Sequence, residues 1–262
     1  MRGNMQLWQT HQKSLLKGKR NEHERTLLAK LKACLPAGIF TTVVADRGFG
    51  YREMFELLET EFDFAYLIRF KGNILVGHAD AEQVPARQWL TPTGRTRTLK
   101  EVEMTRTRHP VARVYCCQKS GMKEPWFLAS NRTDLSAARA LGLYGKRWGI
   151  ETSFRDIKDY RFGMGMGQVR LSSPARRDRL FLFSALAIVL LTLLGKAGDS
   201  IGLERTIKVN TSKSRNYSFF RQGCIYYELL PTMKEANARP LMEKFVYYLK
   251  QHRLYTSTLG II

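Results

Sequence analysis

The stretch Ile39-Phe40-Thr41-Thr42-Val43-Val44-Ala45 constrains the fold most. It is rich in β-branched residues, which suit a pleated strand better than a helix, and it reads as a buried strand. It stops at Asp46-Arg47-Gly48-Phe49-Gly50. A short helix over Tyr51 to Thr60 and a second strand over Phe64 to Phe70 follow. Strand, helix and strand in succession imply an α/β core. Upstream, Leu27, Leu28, Leu31 and Leu35 form one face of an amphipathic helix from Asn21 to Leu35. Pro36-Ala37-Gly38 breaks it. A carboxylate at the end of a buried strand, before a glycine turn, is a recurrent site geometry in α/β folds. The same Asp-Arg-Gly sequence also serves as a plain turn.

From Lys71 the character changes. Gly, Thr and Arg dominate, and short alternating segments appear at Thr96–Thr107, His109–Lys119 and Pro125–Ser130. Residues 71–130 read as a mostly β insert. Arg95, Arg97, Lys100, Arg106 and Arg108 give it a basic face, suited either to a phosphate backbone or to an ordinary solvated edge. A helical region opens at Asp134, capped by Thr133 or Asp134, and runs through Lys158 with a break near Gly142. Three alternating glycines over Tyr160–Arg170 predict a flexible loop or a close backbone approach. Leu180–Leu194 is the longest apolar run, 15 residues interrupted only by Ser184 and Thr192. Crossing a bilayer takes about 20, so a buried core helix is the better reading, and no membrane partner is expected. A turn at Gly195–Gly198 and helices over Asn216–Leu230 and Glu235–Gln251 complete the chain. The resulting division is 1–70, 71–130, 131–175 and a helical 176–262.

The 43 Lys and Arg exceed the 23 Asp and Glu by 20. That excess points to a polyanionic partner, nucleic acid being the usual one. Cys34, Cys116, Cys117 and Cys224 form no CxxC pair, which argues against a zinc site or a disulfide framework and for a reducing, intracellular setting.

On one continuous helix, Tyr144, Arg147, Glu151 and Lys158 fall within about 60° of one another. This row places one carboxylate between two cations, while Ile150 and Ile157 point toward a core. Polar helix rows are commonly just solvated. Asp46 at a strand end and Glu151 on this helix are carboxylates suited to a divalent cation if brought together. Arg147 and Lys158 are suited to clamping phosphates.

Tyr144-x2-Arg147-x3-Glu151-x6-Lys158 resembles the Tyr-Arg-Glu-Lys signature of bacterial insertion-sequence transposases with a DDE catalytic core. Val44-Ala45-Asp46-Arg47-Gly48-Phe49-Gly50 resembles the block around that family's second catalytic Asp. The likeness covers nearly all of residues 6–230, including Phe220-Arg221-Gln222-Gly223. It implies a ribonuclease-H-like α/β core interrupted by a β insert, with a helical C-terminal part. It implies Asp46 and Glu151 as catalytic metal-binding carboxylates. A two-metal magnesium site, with manganese as an alternative, supports phosphodiester chemistry of this kind. It further implies Tyr144, Arg147 and Lys158 at transposon-end phosphates, with Trp126 and Trp148 around a flipped base. The competing reading of both tryptophans is packing. Cut-and-paste transposition, through nicking, hairpin formation and strand transfer, is the implied activity. Double-stranded transposon-end and target DNA, a homodimeric synaptic complex and a bacterial cytoplasmic location associated with the nucleoid come with it.

The pattern departs in one place. The family's first carboxylate lies on a strand well before the second. Here the acids preceding Asp46 are Glu22 and Glu24, both inside the predicted helix. The expectation is a chain that begins inside the catalytic domain, lacks the first strands and is catalytically incomplete. Two alternatives are a non-enzymatic DNA-binding or interfering derivative, and a nuclease-like fold with an RNA partner.

Overall fold

The computed structural model describes residues 7–159, 164–208 and 215–252. The first six residues, and residues 160–163 of the glycine-rich loop, lie outside them. The chain forms two compact units. One is Lys13–Gly149. The other joins residues up to Gln12 to those from Ile150 onward.

The first unit is a mixed α/β structure on an open sheet in the order β1-β2-β7-β6-β5-β3-β4. The strands are β1 (Thr42–Ala45), β2 (Ala65–Arg69), β3 (Leu75–Gly77), β4 (Val84–Pro85), β5 (Arg97–Met104), β6 (His109–Cys117) and β7 (Trp126–Ser130). β1 and β2 are parallel, in register from Thr42↔Ala65 to Ala45↔Ile68. Every other neighbouring pair is antiparallel. The strands of 71–130 therefore continue the same sheet as β1 and β2, through the pairing of β7 with β2. An open α/β sheet is what a ribonuclease-H-like core calls for.

Alternation along β2 explains the two-sided core. Tyr66, Ile68 and Phe70 turn to one face, where they meet Phe55 and Leu58. Leu28, Leu31 and Leu35 also pack on that face, from and just beyond helix α1 (Arg20–Cys34). Phe55 and Leu58 come from α2 (Arg52–Glu56) and a π-helical turn that follows it, Leu57–Glu61. Phe55 stacks on Tyr66 at 5.0 Å between ring centroids. Leu67 turns to the other face and packs with Tyr115, Leu128 and helix α3 (Ala137–Gly145). Full burial of each such side chain contributes about 1.5–3 kcal/mol. Tyr115 Oη and Arg113 Nη1 both donate to the Leu135 carbonyl, at 2.7 and 2.8 Å, which pins the approach to α3.

Two local readings in this unit are corrected. The first strand begins at Thr42, not Ile39, and is half-buried at the sheet edge; Phe40 before it is 71% exposed. With a partner on one side only, β1 cannot bury both faces as an interior strand does. Arg132 covers it, stacking over Phe40 at 5.0 Å and donating to Thr42 Oγ1 at 3.1 Å. The cap of α3 is Ser136, whose hydroxyl accepts from Arg139 N; Asp134 is instead taken up by Arg132. On the insert, Arg97 lies over Trp89 and Arg108 is held by Glu103 and the Ala79 carbonyl, so part of the basic face serves local structure.

The second unit is helical: most of α4 (Trp148–Lys158), then α5 (Pro174–Ser200), α6 (Phe219–Leu229) and α7 (Glu235–Gln251). α5 is one helix long and apolar enough to cross a membrane by length and composition. Its side against α6 and α7 is buried through Val189, Leu193, Leu194 and Ala197, while Phe183 is exposed. The turn expected at Gly195–Gly198 is not there: α5 continues to Ser200. A Cβ on Gly195 would overlap the Phe219 carbonyl, and one on Gly223 the Leu191 carbonyl. These glycines let two helix backbones touch. Gly167 meets the close-approach expectation, its missing Cβ lying 2.9 Å from the Lys158 carbonyl.

The four cysteines are free thiols. Burial pushes the Cys116 thiol up to about 12, which keeps it protonated and unreactive.

Candidate active site

β1 ends at Ala45, and the chain turns back on Asp46. Asp46 Oδ1 accepts from Gly48 N at 2.8 Å, and the Asp46 carbonyl accepts from Phe49 N at 3.0 Å. A short acidic side chain that satisfies its own turn in this way is the reason Asp precedes Gly here. Oδ1 is thus committed to the backbone. Oδ2 faces Arg147, whose Nη1 lies 3.9 Å away. The carboxylate is 46% exposed and the arginine 14%. The pair brings a strand end and the start of the signature region together, within one unit, over 101 residues of chain.

The helix expected through Tyr144, Arg147, Glu151 and Lys158 is interrupted. α3 ends at Gly145 and α4 starts at Trp148. The amides of Lys146, Arg147 and Gly149 bond three residues back rather than four, to Leu143, Tyr144 and Lys146. Two glycines in five residues lower helix propensity enough for these tighter turns to win. The break falls three residues after Gly142. The polar row is therefore split between α3, a turn and α4.

The split distributes the residues. Tyr144, on α3, is 1% exposed and packs edge-on against Trp126 at 4.9 Å. Arg147, in the turn, has its guanidinium 5.7 Å from the Tyr144 ring and 5.7 Å from the Trp148 ring. Trp148 is 51% exposed, as an aromatic surface beside a cation. Glu151 and Lys158 lie exposed on the part of α4 that belongs to the helical unit, with Lys158 Nζ over Phe154 at 5.3 Å. Ile157 is buried as expected. Ile150 is not: it sits at 51% exposure in the first turn of the same helix.

Sequence reasoning missed Arg20. It lies on α1, and its guanidinium stands over Phe49 at 5.4 Å and reaches the Gly48 carbonyl at 3.5 Å. The Asp46 turn is thus flanked by two arginines. Arg20 also donates to Glu24 at 2.5 Å, and Tyr51 Oη donates to the other Glu24 oxygen at 2.6 Å. The hydrogen bond to Glu24, then its charge, raises the Arg20 pKa. Burial, then Glu24, pushes the Tyr51 phenol well above its ordinary value. The one sequence signal for this network was an i, i+4 Arg–Glu pair on a helix, which is too common to single out.

Magnesium needs a near-octahedral set of oxygen ligands. Asp46 as placed has one oxygen on its own turn and the other facing a guanidinium. Within neither unit, among the described residues, do three or more His, Cys, Asp or Glu side chains gather to hold a metal. Asp46 in this arrangement does not by itself fit a metal ion.

No curated protein matches the chain. Residues 11–190 match the transposase DDE domain, a stretch that contains β1, the Asp46 turn, all of α3 and α4, and the first part of α5. DNA as the substrate and divalent-metal chemistry go with that family. With well over half of its 262 residues matched, the chain belongs to the transposase DDE domain family.

Proposed function

We propose that this polypeptide binds duplex DNA at transposon ends and does not cut it alone. The observation that carries the reading is the Asp46–Arg147 pair at the end of a parallel strand, in a chain matched to the family across both residues. The net charge of +20 supplies the long-range attraction to DNA. Arg147 is the cation nearest the carboxylate. An arriving phosphate competes with Asp46 for it, because a guanidinium binds either anion through paired donors. Lys158 adds a second phosphate contact and exposed Trp148 a stacking surface. Trp126, packed on Tyr144, holds α3 in place, and Tyr144 acts through that packing rather than at the surface.

Asp46 and Glu151 are two carboxylates of the family's metal site. Glu24, one of the two acids before Asp46, is occupied by Arg20 and Tyr51. Asp46 is tied to its own turn and to Arg147, so nicking, hairpin formation and strand transfer are not carried out by this polypeptide alone. The polypeptide itself acts as a DNA-binding or interfering derivative.

The test is a terminal-repeat duplex incubated with the full chain in magnesium or manganese. Binding that weakens steeply with salt and leaves the strands intact is the expected result. Strand cleavage abolished by Glu151→Gln would overturn the non-cutting reading. Equal affinity for RNA would favour an RNA partner instead.

A further inference from the structure

A cleft of about 360 Å³ opens in the sheet unit, and its wall starts at Arg47, the residue after Asp46. Arg69, Lys71 and Arg87 line it as well, with Glu124 as its carboxylate. Four cations against one anion leave it strongly positive. The parallel register of β1 and β2 sets their C-terminal ends level, so Arg47 and Arg69 emerge from the same end of the sheet as Asp46.

The arrangement around Glu124 is specific. Its Oε2 accepts from Arg69 Nη2 at 2.9 Å and from Arg47 Nη1 at 3.2 Å. One anionic oxygen thus bridges two guanidinium groups. Arg69 Nη2 also donates to the Pro125 carbonyl at 2.9 Å, and the side chain is only 15% exposed. Glu124 and Arg47 are each more than half exposed. The half-buried arginine is held by the backbone, whereas its carboxylate partner sits at the surface, free to be exchanged. Exposed ion pairs of this kind are worth little, so displacing one carboxylate by another anion costs little. Lys71 and Arg87 remain exposed at the rim, ready for the second oxygen or a neighbouring phosphate.

We propose that this cleft is a phosphodiester site for a DNA strand, separate from the contacts given to Arg147 and Lys158, and that Glu124 is an internal counter-ion which the phosphate displaces. The inference rests on the reading of the chain as a DNA-binding domain. It adds a second anchoring point one residue beyond Asp46, with a brake on affinity built into the loop before β7.

The experiment is fluorescence anisotropy with the full chain and a labelled duplex of about 20 base pairs across a salt series. Glu124→Gln keeps the shape and removes the competing charge; it raises affinity by about fourfold, whereas Glu235→Gln, an exposed carboxylate on α7, changes it less than about twofold. Arg47→Ala and Lys71→Ala each weaken binding and lower the slope of log K against log salt by about 0.9. Equal effects of Glu124→Gln and Glu235→Gln, or unchanged slopes in Arg47→Ala and Lys71→Ala, overturn the cleft proposal while wild-type binding leaves the DNA-binding reading standing. Absence of wild-type binding at low salt overturns both.

Discussion

The sheet unit fills its interior with large side chains. Phe55, Tyr66, Leu67, Ile68 and Leu128 are fully buried, and alternation along β2 sends successive residues to opposite faces. The helical unit does the reverse at its centre. Gly195 and Gly223 bring the α5 and α6 backbones into direct contact, and Gly198 makes room for the Tyr226 ring. One region depends on volume supplied by side chains, the other on volume withheld. The same substitution therefore has opposite meanings in the two, and two variants separate them.

The largest effect is expected at Tyr144. Tyr144→Ala opens a cavity between α3 and Trp126 and should cost about 4 kcal/mol, measured by urea unfolding followed by far-UV circular dichroism. Tyr144→Phe should leave stability unchanged or slightly raised, because the buried hydroxyl has no hydrogen-bond partner among the described residues. A Phe variant that stays stable but loses DNA affinity would place the hydroxyl in the interface after all. Next in size is Gly223→Ala, at about 3 kcal/mol by the same unfolding measurement. Helix propensity alone favours alanine by about 1 kcal/mol, so the two ideas differ in sign. A neutral or stabilised Gly223→Ala would end the contrast between the units.

This contrast also explains what could be read from the sequence. Side-chain periodicity is a one-dimensional signal, so Asn21–Leu35, Phe64–Phe70 and Glu235–Gln251 were found within a residue or two of α1, β2 and α7. A glycine carries no periodicity. Gly195–Gly198 looked like a turn because the α6 backbone that needs the space lies more than 20 residues away. The N-terminal segment is likewise held by distant partners. Thr10 Oγ1 donates to Asp178 at 2.5 Å and Trp8 meets Phe181 edge-on, contacts made across some 170 residues. At the site, Asp46 and Arg147 were legible as residue types at suitable spacing. That α3 stops before Arg147, freeing its guanidinium to reach Asp46, depends on tight turns at Gly145 and Gly149 that the row of polar residues concealed. The bridging role of Glu124 was equally hidden, since its two arginines come from the ends of different strands.

The smallest effect sharpens how the sheet unit guards its edge. Arg132 is held in a fork by Asp134, at 2.9 and 2.5 Å, and so keeps its place over Phe40 and Thr42. The hydrogen bond to Arg132 is the main cause holding the Asp134 carboxyl below its usual range. A carboxylate whose native pKa is depressed contributes stability above its ordinary value, and that contribution is lost as pH falls through the native one. Asp134→Asn should therefore lower Tm slightly at neutral pH. The gap from wild type should begin to narrow below about pH 3.9, the ordinary aspartate value, and close as pH falls through the lower native value, where the native protein protonates Asp134 as well. Differential scanning calorimetry of both proteins across that range reads the effect directly. A gap that stays constant with pH would mean that Asp134 acts by shape alone. Arg132 would then hold the open edge of β1 through its stacking on Phe40 rather than through its charge.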